Sequence, residues 1–243
     1  MTVPSTVLII GATRGLGLAL AREWLQRGWN VIATVRSSRQ CELCETAEKS
    51  AGRLAIEHLE MTDAAAIAAL KQRLSRVELD LLFVNAAIAN GPGDRVDRMS
   101  TEEFTRIMVT NALSPMRAVE ALGPLVRRGG TIAVMSSSLG SVALNETGGW
   151  EVYRASKAAL NTLMRSYAAR HAEDGRGLAL VDPGWVRTDM GGSDVALGVE
   201  ESIPGVVDAL AARHGQPGLV LVQIKRLPHK GQDTTRCATE QYN

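Results

Sequence analysis

The feature that most constrains this 243-residue chain is the alternation of short, uninterrupted apolar runs with longer stretches of helical spacing. The seven apolar runs cover residues 6–10, 30–35, 53–59, 80–84, 131–136, 177–182 and 218–224. Runs that are apolar at nearly every position are typical of strands buried on both faces, as in a parallel sheet. Strands that alternate with helices predict an α/β protein in which helices cover both faces of the sheet. We therefore expect a doubly wound fold with seven parallel strands.

The net charge and the hydropathy pattern exclude several classes of partner. The 27 basic and 26 acidic residues leave a formal charge of +1, which gives no general attraction to nucleic acid or to an acidic membrane surface. No apolar run approaches the roughly 18 residues that a membrane span needs. The first ten residues, MTVPSTVLII, show neither a basic leader nor a cleavage site, so we expect no secretory signal and a cytoplasmic location.

The cysteines and histidines predict neither a disulfide framework nor a metal site. The three cysteines are Cys41, Cys44 and Cys237, a small and odd number. Cys41 and Cys44 form a C-x-x-C pair, but a second such pair is missing and the four histidines are scattered. Because structural zinc needs four convergent ligands, we interpret the pair as two thiols one turn apart on a helix.

A glycine-rich segment, residues 11–17 (GATRGLG), follows the first predicted strand. Doubly wound folds bind their ligands at this edge of the sheet. Glycines permit a tight turn and a close approach of the backbone to a pyrophosphate, and the N-terminus of the next helix favours that anion. The spacing departs from the G-x-G-x-x-G fingerprint, and a plain glycine-rich strand–helix turn is the alternative interpretation.

The segment after the second predicted strand carries basic rather than acidic side chains. Arg36 and Arg39 follow this strand, and the first acid is Glu42. An acid at this point would accept hydrogen bonds from a free ribose 2′-hydroxyl, whereas the planar donors of arginine suit a 2′-phosphate. Together with Arg14 on the same rim, these arginines predict NADP(H) rather than NAD(H). The alternative is that Arg36 and Arg39 are merely solvated.

Tyr153 and Lys157 stand one turn apart in a helix predicted over residues 151–172, so both side chains can face one site. A free phenol has a pKa of about 10, and a nearby ammonium should lower that pKa and make Tyr153 a usable acid or base. Three serines, Ser136 to Ser138, end the fifth predicted strand on the same edge and could hydrogen-bond a substrate oxygen. Taken alone, the Tyr–Lys pair could be surface decoration and the serines ordinary turn residues.

Together these motifs resemble the short-chain dehydrogenase/reductase family over about residues 5–222. The motifs that match in order and spacing are the glycine turn, Asn85-Ala86-Ala87, Asn111, the serine run, Tyr153 with Lys157, and Pro183-Gly184 through Thr188. Within the family, residues 135–141 (MSSSLGS) and the long gap from serine to tyrosine are similar to the carbonyl-reductase-like branch that includes the C-factor and sniffer proteins. The resemblance implies a single-domain, Rossmann-like, doubly wound parallel seven-stranded sheet with helices on both faces.

The resemblance also implies a role for each matching position. Tyr153 would be the acid/base, Lys157 would lower its pKa and hold the nicotinamide ribose, and Ser137 would orient the substrate, with Ser138 as the fallback. Asn111 resembles the residue that supports a water relay to the lysine. The positions implied to bind the cofactor are Gly11, Thr13, Arg14, Gly15, Leu16, Gly17, Arg36, Met61, Asn85, Ala86, Tyr153, Lys157, Pro183, Gly184, Val186 and Thr188.

The chain departs from the family pattern in three places. Ala87 replaces the glycine that usually follows Asn-Ala, and Glu60, beside Met61 at the adenine edge, stands where Asp is commoner. The largest departure is the polar C-terminal segment, KRLPHKGQDTTRCATEQYN. We therefore divide the chain into one NADP-binding reductase domain over residues 1–224 and an atypical tail over 225–243, which we expect to be poorly packed.

The function that follows is an NADPH-dependent reductase that converts a ketone or an aldehyde to an alcohol, reversibly, with Tyr153 as acid/base. Two alternatives are a non-catalytic NADP(H)-binding sensor or signalling protein and a reductase of activated C=C bonds. A small to medium hydrophobic carbonyl substrate is favoured by a mostly apolar predicted pocket wall, which includes Ile88, Ala89, Leu139, Trp150, Trp185 and the loop 189–199. Helices over 101–122 and 151–172 could bury a shared face, so we expect a homodimer.

Overall fold

The computed structural model describes residues 4–36, 42–91, 93, 95–190, 192, 195, 197–227 and 234–241. Beyond Ile224 it describes the backbone together with the side chain of Ala238. None of the helices in these ranges combines the length and the apolar character that crossing a membrane requires.

Within the described ranges, eight strands form one sheet in the order β3-β2-β1-β4-β5-β6-β7-β8. Their bounds are β1 Thr6–Ile10, β2 Asn30–Val35, β3 Leu54–His58, β4 Leu79–Val84, β5 Val126–Met135, β6 Gly177–Asp182, β7 Gly218–Leu227 and β8 Thr234–Gln241. Strands β1 to β7 pair in parallel, which confirms the predicted doubly wound sheet, and β8 is antiparallel to β7. The direction of winding reverses between β1 and β4, the point where such sheets bind ligands.

Seven α-helices are described in the same ranges. They are α1 Gly15–Gln26, α2 Glu42–Glu48, α3 Ala64–Arg73, α4 Thr101–Met108, α5 Ser114–Leu122, α6 Glu151–Arg170 and α7 Val199–Ala212. The helix predicted over 101–122 is divided, because one π-helical turn, Val109–Leu113, joins α4 to α5. A short 3₁₀ turn, Ser138–Gly140, follows β5.

The sheet separates two apolar layers, because successive side chains of a strand point to opposite faces. In β1, Val7 and Ile9 pack with α1 and α7, whereas Leu8 and Ile10 pack on the other face with α3, α5 and α6. All four side chains are at most 1% exposed. Burial on both faces explains why this run shows no alternation of polar and apolar residues.

Strand β5 begins at Val126, before the apolar run that starts at Thr131. Its pairing with β4 shifts register between Leu79 and Leu81. The sequence does not predict this earlier start, because Arg127-Arg128-Gly129-Gly130 is not apolar and the apolar pattern identifies only the buried part of the strand.

The C-terminal segment adds an edge strand that the apolar pattern does not predict. β7 continues to Leu227, and β8 pairs with it from Val220 opposite Gln241 to Leu227 opposite Thr234. The sequence of β8, TTRCATEQ, carries no apolar run, and β8 joins the sheet through its antiparallel backbone pairing with β7. Ala238 is half-buried. The domain division at residue 225 and the poor packing of the tail both stay predictions.

Candidate active site

The glycine turn between β1 and α1 is packed so closely that side chains would not fit. Gly11 has a left-handed φ of 88°, and a Cβ there would lie 2.7 Å from the Cβ of Ala86. A Cβ on Gly17 would lie 2.1 Å from the carbonyl oxygen of Gly11 and 2.7 Å from Nδ2 of Asn85. The same Nδ2 donates to the Gly11 carbonyl at 2.8 Å. The structure therefore brings together four of the predicted cofactor-binding positions.

The start of α1 has the features of an anion site. Arg14 is the N-cap residue, its backbone is extended, and its side chain does not cap the helix. The N–H groups of the first turn, which begins at Gly15-Leu16-Gly17, are thus without a side-chain cap, and together with the helix dipole they favour a phosphate. Thr13 and Arg14 are exposed at this end. The glycine cradle and the open helix end fit the pyrophosphate of a dinucleotide.

The loop after β6 lies against the glycine turn. Nη1 of Arg14 is 2.5 Å from Oδ2 of Asp189, and both side chains are about three-quarters exposed (74% and 75%). Cγ2 of Thr188 lies 3.9 Å from the position that a Cβ would take at Gly15. Two segments predicted to bind the cofactor are therefore neighbours in space, although they are far apart in the sequence.

Arg36 and Met61 follow the neighbouring strands β2 and β3. Arg36 is exposed, and Met61 is 5% exposed. A hydrogen bond from the Thr62 N–H is the main cause that lowers the pKa of Glu60, and the positive charge of Arg36 adds to it. An acid, Glu60, therefore does lie near Arg36, but it comes from the loop after β3 and not from the segment after β2. Arg39 lies outside the described residues.

Helix α6 brings Tyr153 and Lys157 to the loop after β5. The Ser137 hydroxyl lies close enough to the Tyr153 phenol to lower its pKa, and Oγ of Ser137 accepts from the Leu139 N–H at 3.2 Å. Nζ of Lys157 lies 5.7 Å from the centroid of the Tyr153 ring and donates to the carbonyl oxygen of Met135 at 2.8 Å. Three of the predicted catalytic side chains thus converge at the end of β5, as the i, i+4 spacing predicts.

The other two serines of the run have different partners. Oγ of Ser136 donates to Oδ1 of Asn161 at 2.6 Å, and Ser138 donates its N–H to Asp182. The turn after β5 lies directly against α6 at Gly140. A Cβ at this position would lie 3.0 Å from the Cβ of Lys157, so a larger residue would not fit without a shift. Ser137 is therefore the serine that contacts Tyr153, whereas Ser138 contributes its backbone.

The pKa values of the Tyr–Lys pair differ from the expectation. Burial raises the pKa of Tyr153 above its ordinary value, the negative charge of Asp182 raises it further, and the hydrogen bond with Ser137 lowers it in part. Burial also lowers the pKa of Lys157 to about 8. The expected lowering of the Tyr153 pKa is therefore wrong for this structure. Desolvation is the main cause, and the group that lowers the pKa of Tyr153 is Ser137 rather than Lys157, whose ammonium is held at the Met135 carbonyl.

Asn111 lies in the π-helical turn and is fully buried. Its Nδ2 donates to the carbonyl oxygen of Ile88 at 2.7 Å, and its Oδ1 accepts from the Ile88 N–H at 2.9 Å. Nδ2 also donates to Oγ of Ser156 at 3.0 Å, and that hydroxyl donates to the backbone carbonyl of Tyr153. The side chain of Asn111 therefore joins the loop after β4 to helix α6. Its part in a water relay to Lys157 stays a prediction.

The segment after β6 is fixed by contacts of its backbone. Gly184 has a φ of 79°, and a Cβ there would lie 2.8 Å from the carbonyl oxygen of Ile224. Oγ of Ser202 donates to the carbonyl oxygen of Pro183 at 2.7 Å, and Val186 forms a β-bridge with Leu197. These contacts hold the predicted nicotinamide segment at the end of β6. Positions 191, 193, 194 and 196 of the predicted pocket loop lie outside the described residues.

Two features of the site have little signal in the sequence. Asp182 is buried at the end of β6, and sequence reasoning missed it, since its only signal is an acid that ends an apolar run. Trp150 has a left-handed φ of 53°, and its ring lies edge-on to Tyr153 with the centroids 6.0 Å apart. The two glycines that precede Trp150 are its only sequence signal.

A glycine cradle and a Tyr–Lys–Ser cluster on one edge of a doubly wound sheet are the features of a dinucleotide-dependent oxidoreductase. The family model of the short chain dehydrogenases matches residues 5–196. The chain therefore belongs to the short-chain dehydrogenase/reductase family and is an oxidoreductase of that family.

Solved structures of the family are similar to this chain over most of its length. A short-chain dehydrogenase/reductase from Burkholderia multivorans with bound NADP is 50% identical with a TM-score of 0.88, over 90% of this chain and 96% of that one. A carbonyl reductase from Pseudomonas aeruginosa in complex with NADP is 38% identical with a TM-score of 0.84, over 91% and 96%. Carbonyl reductase Sniffer of D. melanogaster is 28% identical with a TM-score of 0.80, over 90% and 96%. The resemblance to the sniffer-like branch is confirmed.

Proposed function

We propose that the protein is an NADPH-dependent reductase that converts a ketone or an aldehyde to an alcohol, and that it also catalyses the reverse reaction. The observation that carries this proposal is the convergence of Tyr153, Ser137 and Lys157 at the sheet edge that also carries the glycine cradle. The two similar structures that hold NADP, one of them a carbonyl reductase, support both the cofactor and the reaction type.

The residues of the site divide the work of the reaction between them. When bound, the cofactor supplies the hydride that adds to the carbonyl carbon. Ser137 donates a hydrogen bond to the carbonyl oxygen as negative charge develops there, and Tyr153 gives that oxygen its phenolic proton. The phenol is protonated at neutral pH, as reduction requires, and burial raises its pKa further above neutrality. Lys157 would bind the nicotinamide ribose and stabilise the phenolate that remains.

The proposed preference for NADPH depends on arginines at the rim of the site. Arg14 is exposed at the start of α1 and Arg36 is exposed directly after β2, and the planar donors of a guanidinium suit a ribose 2′-phosphate. The Arg14–Asp189 ion pair is exposed and therefore weak, so a phosphate can replace the carboxylate at low cost. Assays with NADPH and NADH in parallel measure the preference directly.

The apolar side chains around the site support a hydrophobic carbonyl substrate. Trp185 is 68% exposed and Val142 is 84% exposed, and both stand in loops that leave the same edge of the sheet. Trp150 packs edge-on to Tyr153. We propose a small to medium apolar ketone or aldehyde, used in the cytoplasm.

A first experiment tests turnover and its dependence on Tyr153. The full chain is mixed with NADPH and a panel of apolar ketones, aldehydes and enones, and the loss of the reduced-nicotinamide absorbance is followed. We expect turnover in the wild type. Tyr153→Phe should lose at least about 100-fold in kcat, because the proton donor is removed, while NADPH still binds. Product analysis of the enones separates reduction of C=O from reduction of C=C.

The matched control is Tyr167→Phe on the same helix. Tyr167 is buried and its ring stacks on His171, away from the site, so the loss of its hydroxyl should leave turnover in place. Full activity of Tyr153→Phe would contradict the proposed mechanism. Tight NADPH binding by a wild type that reduces no member of the panel would favour the sensor alternative.

A further inference from the structure

Asp182 is a buried carboxylate that the proposed mechanism does not use. It is the last residue of β6 and is 3% exposed. Its Oδ2 accepts from the Ser138 N–H and from Nε2 of Gln223, both at 3.0 Å, and its Oδ1 accepts from the Gly184 N–H at 3.0 Å. Burying a carboxylate costs free energy of folding, and hydrogen-bond donors such as these three offset that cost. An acid at this buried position therefore suggests a role beyond packing.

The two backbone donors belong to different loops of the site. Ser138 directly follows Ser137, the serine that contacts Tyr153. Gly184 follows Pro183 in the segment proposed to face the nicotinamide. Strands β5 and β6 are neighbours in the sheet, and their ladder ends with the bond from the Ser136 N–H to the Val181 carbonyl. Beyond that last bond, the strands no longer pair, and the Asp182 carboxylate joins the two loops by accepting from the Ser138 N–H and the Gly184 N–H.

We propose that Asp182 is a positioning residue that holds the serine loop and the Pro183-Gly184 segment at a fixed separation beside Tyr153. This inference rests on the proposed function, because the separation matters only if a substrate oxygen and a nicotinamide must meet there. Misplacement of a reacting group by about 1 Å can cost 100-fold in rate, so a rigid tie between the two loops has direct value for catalysis.

The charge of Asp182 gives the proposal a second, independent readout. Among the residues that the structure describes, two charged groups face Tyr153: Lys157 from α6, with Nζ 5.7 Å from the ring centroid, and Asp182 from β6. The neighbouring Arg154 instead donates to the carbonyl oxygens of Gly148 and Gly149. After burial, the charge of Asp182 is the next cause that raises the pKa of Tyr153. A variant without this charge should lower that pKa.

The test variant is Asp182→Asn. Asparagine keeps one acceptor oxygen and replaces the other with a donor, so one of the two backbone N–H groups loses its acceptor. We expect kcat to fall by about 10- to 100-fold. Because reduction needs a protonated phenol, we also expect the step of the pH profile that belongs to Tyr153, which lies above the step set by Lys157 near pH 8, to move to a lower pH than in the wild type. Gln223→Met, the matched control, keeps the carboxylate and both backbone contacts and should keep the pH profile of the wild type.

A second variant separates charge from position. Asp182→Glu keeps the charge but moves the carboxylate by one methylene, so kcat should fall while the step of the pH profile that belongs to Tyr153 stays in place. Melting curves establish that each variant is folded. A folded Asp182→Asn protein with the kcat and pH profile of the wild type would overturn the proposal.

Amide hydrogen exchange of the full chain, measured by NMR, tests the tie between the loops without turnover. The N–H groups of Ser138 and Gly184 should be protected in the wild type and in Gln223→Met, and at least one should exchange faster in Asp182→Asn. Unchanged exchange of both would overturn the proposal, whatever happens to kcat. A wild type that oxidises no NADPH would contradict the proposed function alone, and the exchange rates would still decide the role of Asp182.

Discussion

Lys157 is needed for the proposed reaction, but its burial destabilises the folded protein. Its side chain is 1% exposed, and of its three N–H donors the described residues give an acceptor to one, through the Met135 carbonyl. Burial lowers its pKa to about 8, so the ammonium that is present at neutral pH costs free energy in the folded state. Such a residue is kept for what it binds or stabilises rather than for its contribution to folding.

We predict that Lys157→Met abolishes turnover but raises the free energy of unfolding at pH 7 by about 1–2 kcal/mol. A pKa of about 8 against 10.5 in the unfolded chain corresponds to roughly 3 kcal/mol, and the Met135 carbonyl that loses its donor offsets part of it. As the pH rises, the folded state loses the Lys157 proton before the unfolded chain does. The free energy of unfolding of the wild type therefore rises between about pH 8 and 10.5, and the advantage of Lys157→Met becomes smaller over that range.

Urea unfolding of both proteins at pH 7 and pH 10, without nucleotide, measures this difference. The same preparations are assayed with NADPH and a carbonyl substrate. A Lys157→Met protein that is less stable than the wild type at pH 7 would show that the ammonium is better solvated than its burial indicates.

At the scale of elements, the turn that begins α6 holds an unusual backbone. Gly148, Gly149 and Trp150 have φ values of 64°, 70° and 53° in succession. Glycine adopts this region without penalty, but a bulky residue there costs about 1–2 kcal/mol. Nε of Arg154 donates to the Gly149 carbonyl at 2.9 Å, which helps to hold the turn. With this left-handed backbone, the Trp150 ring lies edge-on to Tyr153. We therefore propose that Trp150 forms a wall of the substrate pocket.

We predict opposite effects of Trp150→Gly on binding and on stability. The KM for an apolar carbonyl should rise about 10-fold, because an aromatic wall is lost. The melting temperature should stay the same or rise, since glycine relieves the left-handed strain. Trp150→Phe keeps both the ring and the strain and serves as the control. A KM for Trp150→Gly equal to that of the wild type would place the substrate elsewhere.

At the scale of the whole molecule, the helices α4 to α6 leave apolar side chains in solvent. Phe104, Leu113 and Leu163 are 37%, 40% and 41% exposed. They belong to the two stretches, 101–122 and 151–172, that the sequence predicts to bury a shared face. Apolar side chains exposed on neighbouring helices are typical of an interface between subunits.

We predict that the protein is a homodimer in solution, with a mass of about twice 26.0 kDa. Leu163→Asp should shift the mass toward the monomer, because a charge buried at the interface would be unpaired. Val142→Asp, at a smaller apolar residue that is more exposed and lies outside these helices, is the control and should leave the mass unchanged. Light scattering decides the question, and a wild-type mass near 26 kDa would rule out the dimer.

The elements that could be predicted from the sequence are those whose signal is local. The apolar run TVLII predicts strand β1 with the bounds that the structure shows, Thr6–Ile10. The glycine that follows, Gly11, forms the predicted tight turn. The spacing of Tyr153 and Lys157 places both on one side of α6, because i and i+4 are neighbours on any helix. The π-helical turn at Val109–Leu113 has no comparable signal. Asn111 in this turn bonds to Ile88, which lies 23 residues away, and a contact over that distance leaves no local pattern in the sequence.

The order of the amino acids alone determined the doubly wound sheet, the glycine cradle and the pairing of a phenol with an amine, because periodicity and backbone freedom act over a few residues. The tertiary structure decided how those groups are charged and held. Burial sets the pKa of Tyr153 against the expected direction, and Asp182 meets donors from residues 138, 184 and 223, two of which are more than 40 positions distant. Solvent exclusion and contacts between distant segments exist only once the strands are side by side.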